Sequence, residues 1–284
     1  MKKISLLALL ALTLSFAAAT PNSAALVDCD NIVVTNDDIS EQAMGTSPAK
    51  NWVLYKRGTG DGEAKVGPGT PPSGVGSYEL TTPAANDKAY LFNYDHMGTK
   101  LSDVNKIGYS TYRTAGSLQQ VTALNVEIDF NGPDVDGGYS VLVFEPVYNT
   151  DQGAVQTGVW QTWDAYNGGE ARWWSSRAIN GVCAFSCYVS WDFIVANNPD
   201  AVILGGFGIN QGGGNPGLIA STDNLSLGYG EGDDAVCVTY DFEPYRVATS
   251  RDDCKDGGFQ NVKRADGSSF KNQGQCVQYV NTGK

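Results

Sequence analysis

The run Ala123-Leu124-Asn125-Val126-Glu127-Ile128-Asp129-Phe130, closed by Asn131-Gly132-Pro133-Asp134, sets the pattern for the whole chain. It is short, and it stops in residues that favour turns. A second run, Tyr139–Tyr148, follows directly after Gly137-Gly138. Towards the N-terminus the pattern recurs at Asn31–Thr35, Trp52–Lys56, Ser77–Thr82, Lys88–Tyr94 and Ile107–Arg113. Towards the C-terminus it recurs at Val159–Asp164, Ala201–Asn210, Asn224–Tyr229 and Val236–Glu243. Helical periodicity is almost absent. One short helix is expected over Trp191–Asn197, between a capping Ser190 and Asn198-Pro199. Gly67-Pro68-Gly69-Thr70-Pro71-Pro72 cannot hold a ladder and reads as a loop. About eleven short strands predict an all-β fold, a two-sheet jelly-roll sandwich.

The first residues carry Lys2 and Lys3, followed by an uncharged apolar run from Ile4 to Ala19. This is the form of a secretory signal peptide, with cleavage expected after Ala19 or Ala25. The run is shorter than the roughly 20 residues of a membrane span. Leu26-Val27-Asp28-Cys29 does not serve as a lipidation site, because Asp28 stands where a small residue is needed. The net charge of −12 becomes −14 when Lys2 and Lys3 are removed. Such a surface disfavours nucleic acid and anionic membranes as partners. The expected location is extracellular or at the cell surface.

Six cysteines in an exported chain read as disulfides. Cys183 and Cys187 frame a three-residue loop, and Cys254 and Cys276 frame a Gly-rich C-terminal segment. Cys29 and Cys237 remain and are paired by elimination. A single histidine, His96, leaves zinc without a ligand set, and in its polar loop it reads as a surface residue. The expected organisation is a signal peptide over 1–25, a β-sandwich over 26–245 and a linker over 246–253. A small disulfide-closed module completes it over 254–284.

That module, with Cys254-Lys255-Asp256-Gly257-Gly258-Phe259 and Phe270-Lys271-Asn272-Gln273-Gly274-Gln275-Cys276-Val277, resembles a short tail of unknown function on secreted microbial proteins. The main domain resembles uncharacterised secreted β-sandwich proteins in three stretches. They are Gly67–Pro72, Asn149-Thr150-Asp151-Gln152-Gly153 and Trp160-Gln161-Thr162-Trp163-Asp164-Ala165. More broadly it is similar to concanavalin-like and carbohydrate-binding jelly rolls, a likeness of fold that does not fix function.

Four of the six tryptophans fall within one short stretch, at Trp160, Trp163, Trp173 and Trp174, together with Tyr166. Gln161, Asp164, Asn167, Glu170 and Arg172 interleave them. Sugar recognition uses this mixture, with rings for pyranose faces and planar polar groups for hydroxyls. The candidate ligand-binding residues are Trp160, Trp163, Asp164, Tyr166, Arg172, Trp173 and Trp174. Strand alternation sets Trp160 apart from Trp163 and Trp173 apart from Trp174, so some of these rings are expected in the core.

Glu127-Ile128-Asp129-Phe130-Asn131 resembles the acidic strand motif of a sandwich glycosidase class. Asn131 or Gly132 stands where that motif needs its proton donor, so no catalytic residue is assigned. No cofactor is expected; calcium is a candidate at Asp134–Asp136 or at Asp223. The leading expectation is a non-catalytic module that binds an extracellular glycan. A structural surface protein comes second, and a polysaccharide-cleaving hydrolase or lyase third.

Overall fold

The computed structural model describes residues 29–116 and 119–284. The signal peptide expected at 1–25 lies outside them. Two sheets pack face to face. The seven-stranded sheet holds β1 (Asp30–Thr35), β4 (Asp61–Val66), β5 (Gly76–Thr82), β7 (Val104–Ala115), β10 (Trp160–Asp164), β14 (Leu218–Tyr229) and β15 (Val236–Glu243). Its long strand β14 pairs with β5, β7 and β15. The eight-stranded sheet holds β2 (Ile39–Gln42), β3 (Trp52–Arg57), β6 (Lys88–Asn93) and β8 (Ala123–Asp129). It also holds β9 (Tyr139–Phe144), β11 (Arg172–Ser175), β12 (Val189–Ser190) and β13 (Val202–Gly212). Its order is β12-β11-β9-β8-β13-β6-β3-β2. Most pairs are antiparallel, and β1–β15 and β2–β3 are parallel, so both sheets are mixed.

Alternation explains the layers. In β8, Leu124, Val126 and Ile128 enter the core, while Asn125, Glu127 and Asp129 take the outer face. Opposite them, β9 buries Leu142 and Phe144, and β11 buries Trp173. From the seven-stranded sheet come Tyr109, Trp163, Leu225, Leu227, Tyr240 and Phe242. Edge-on ring contacts join the layers: Trp52 meets Tyr240 at 4.8 Å, and Tyr109 meets Phe144 at 6.1 Å.

Helix α1 (Trp191–Asn197) starts where the Ser190 hydroxyl accepts the Phe193 N–H, and it buries Trp191 and Ile194. Helix α2 (Gln273–Thr282) belongs to the C-terminal module. The Asn272 side chain caps its start, and Gly283, at φ 71°, ends it. Ala248, Cys254, Val262, Phe270 and Cys276 form a separate small core there. Arg246–Ala248, expected as linker, pair with Lys263, and Ala248 enters this core. Disulfides join Cys29 to Cys237, Cys183 to Cys187 and Cys254 to Cys276. No described helix is long and apolar enough to cross a membrane.

His96 is not a surface residue. It is buried, its Nε2 lies 2.9 Å from the Tyr240 hydroxyl, and its ring meets Phe207 and Tyr229 edge-on. Burial pushes its pKa below the ordinary histidine value. The loop around it is polar, but the ring is drawn between the sheets.

Candidate functional site

The tryptophan-rich segment does not form one surface. Trp163 and Trp173 are core residues, at 1% and 0% exposure, which corrects their assignment to a ligand site. Their indole N–H groups donate to Thr111 Oγ1 at 2.8 Å and to the Ala165 carbonyl at 2.9 Å. Trp160 lies on the outer face of the seven-stranded sheet, against Tyr112, and donates to the Pro68 carbonyl. Tyr166 is half-buried against the core. Trp174 faces outward from the eight-stranded sheet. Register therefore sends Trp160 and Trp174 to opposite sides of the sandwich. They cannot share a groove.

Asp164 is exposed and also holds the backbone that follows it. Its Oδ1 accepts the N–H groups of Tyr166 and Asn167, at 3.1 and 2.6 Å. This turn carries Asn167 and Glu170 to the rim of a cavity of ≈ 290 Å³. Tyr148, Thr150, Asp151 and Arg172 complete its wall. Buried Asn149 fixes Arg172 from both sides, accepting its N–H at 2.8 Å and donating to its carbonyl at 3.0 Å. The same Asn149 amide donates to the Glu145 carbonyl, tying the turn after β9 to β11. The side chains of Asp151, Glu170 and Arg172 have no hydrogen-bond or ion-pair partner among the described residues. They surround the cavity with unused polar capacity.

Beside the cavity runs a strip of exposed rings. Tyr148 stacks on Tyr188, with centroids 4.1 Å apart and planes at 36°. The β11–β12 register pairs Trp173 with Val189, so one further rung sets Tyr188 beside Trp174 on the outer face. Phe185 packs against Trp174 at 5.8 Å and is 63% exposed. It sits at φ 62° inside the loop closed by Cys183 and Cys187. A non-glycine residue held there is strained, and such strain is found at functional sites. Under the strip, Trp174 Nε1 donates to Glu145 Oε2 at 2.8 Å. Burial pushes the Glu145 carboxyl above the ordinary range, against that N–H, which favours the ionised form.

Of the predicted residues, Arg172 and Trp174 therefore belong to this site. Tyr148, Glu145, Phe185 and Tyr188 were not singled out from sequence. A partial signal existed in Asn149–Gly153 and in the tight cysteine loop, both of which stood out.

The acidic strand motif is engaged within the fold. Glu127 accepts the Tyr139 hydroxyl at 2.9 Å and the Gly206 N–H at 2.7 Å. Asp129 is buried and accepts the Asn131 N–H, so Asn131 serves the turn after the strand. Asp134 and Asp136 are exposed in that turn, and Asp223 is buried in the other sheet. Among the described residues no group of three or more His, Cys, Asp or Glu is arranged to hold a metal ion. Comparison of the chain with protein-family models, curated proteins and solved structures finds no match in any of the three.

Proposed function

We propose that this protein is a secreted, non-catalytic module that binds an extracellular glycan at the edge of its eight-stranded sheet. One observation carries the reading: a strip of rings, exposed Phe185, Tyr188 and Tyr148 with half-buried Trp174, borders a cavity whose charged side chains have no partner among the described residues. Rings suit the apolar faces of sugars, and Asp151, Asn167, Glu170 and Arg172 suit their hydroxyls. Export is supported by the basic and apolar N-terminal sequence and by three disulfides.

A glycan array probed with the protein freed of residues 1–25 tests the reading. Binding to at least one glycan class is expected, and Arg172→Ala should lose it while melting normally. Absence of binding across neutral, amino and acidic glycans would remove the proposal.

A further inference from the structure

The outer face of the seven-stranded sheet buries three acids with no lysine or arginine beside them among the described residues. Asp223, Asp241 and Glu243 are 0%, 5% and 3% exposed. Residues 67–76 cover them. The Ser73 N–H donates to Asp223 Oδ2 at 2.9 Å, and the Val75 and Gly76 N–H groups donate to Glu243 Oε1 at 2.6 and 3.0 Å. Gly74, at φ 53°, presses its backbone so close that a Cβ would fall on Glu243 Oε1. Asp223 Oδ1 also takes the Phe242 N–H, at the irregularity between Asp223 and Ser226 in β14. The loop is thus held down largely by carboxylates.

These acids have more acceptors than donors around them. Asp241 Oδ1 and Glu243 Oε2 are buried without a partner among the described residues. The two side chains face each other, and Ser73 and Asn31 also face Asp241. Tyr245 faces Glu243 from beyond β15. Among the described residues, no lysine or arginine is one of the groups acting on the three acids. Two ionised carboxylates here would be desolvated and mutually repulsive, whereas one proton between them supplies the missing donor.

We propose that Asp241 and Glu243 share a proton, and that this proton clasps residues 67–76 onto the seven-stranded sheet so that the loop loosens as pH rises. Burial raises the acid forms of both side chains and pushes Asp223 up to about 7. Groups raised in the folded state bind protons that the unfolded chain has released. Their stabilisation is therefore full at acid pH and fades as pH climbs through the folded values. Opening would also free Trp160, whose indole is tied to the Pro68 carbonyl.

Amide hydrogen exchange on the processed chain, corrected for the intrinsic pH dependence of exchange, tests the clasp. Protection of Ser73, Val75 and Gly76 should fall about tenfold or more from acid to alkaline pH, while β8 stays unchanged. Glu243→Gln keeps an acceptor but cannot ionise, so its loop should remain protected at the alkaline end. Asp241→Asn provides the same test should the first variant fold poorly. Flat protection in the wild type would overturn the clasp. So would recovery of protection at alkaline pH on adding calcium alone, which would assign these carboxylates to a cation.

Discussion

The two outer faces of the sandwich use the same residue types to opposite ends. On the seven-stranded sheet, Asp223, Asp241 and Glu243 are sealed under residues 67–76, and Trp160 is tied to the Pro68 carbonyl. At the edge of the eight-stranded sheet, Asp151, Glu170 and Arg172 are left unpaired among the described residues, beside exposed Tyr148, Tyr188 and Phe185. Carboxylates and rings therefore carry no functional meaning by themselves. What separates a fastening from a candidate binding surface is whether the chain has already spent their hydrogen bonds and covered their faces.

The sharpest way to break this comparison is to remove a ring that belongs to neither face. Trp173→Ala empties a fully buried site between Phe144 and Trp191. It should cost about 3–5 kcal/mol of stability, read from denaturant melts. A near-neutral result would place Trp173 outside the core. Opening the Cys254–Cys276 disulfide by Cys254→Ser should cost the C-terminal module about 3 kcal/mol, from the loop it closes. Exchange in α2 should rise while the sandwich melt stays put, because the module has its own core. Asn149→Ala should cost about 1–3 kcal/mol, since it removes a buried amide that satisfies the Arg172 N–H and carbonyl. It should also weaken any ligand that leans on Arg172. Phe185→Ala should change stability by no more than about 0.5 kcal/mol, because the ring is largely in solvent.

Much of the fold was legible because turn residues punctuate the strands. All eleven expected strands exist, with shifts at their ends, and α1 spans Trp191–Asn197 as expected. The run Tyr139–Tyr148 stops being a strand at Phe144, where Pro146 begins a short helical turn. The strands missed were β2, β4, β11 and β12. Three are short or polar: Ile39–Gln42, Asp61–Val66 and Val189–Ser190. The fourth, Arg172–Ser175, was hidden by reading its tryptophans as a ligand platform. Helix α2 was missed because Gly274 and several polar residues mask its period, although Asn272 and Gly283 mark its ends.

The site was less legible for a different reason. Alternation within a strand showed that Trp173 and Trp174 must diverge, but not which of them faces the core. That choice is made by pairing with β9: Trp173 meets Phe144, and Trp174 meets Val143. Likewise Tyr148 and Tyr188 are far apart in the chain and meet only through the turn after β9 and the cysteine loop.

Tyr188→Ala, measured for glycan affinity and for melting in the same preparation, tests the central claim most directly. Tyr188 is 37% exposed and stacks on Tyr148 beside the cavity, so its ring should contribute to a ligand more than to the core. The account predicts a loss of about 1–3 kcal/mol in affinity for whichever glycan the wild type binds, with the melt nearly unchanged. Undiminished affinity, or a loss that merely follows a fall in stability, would contradict it.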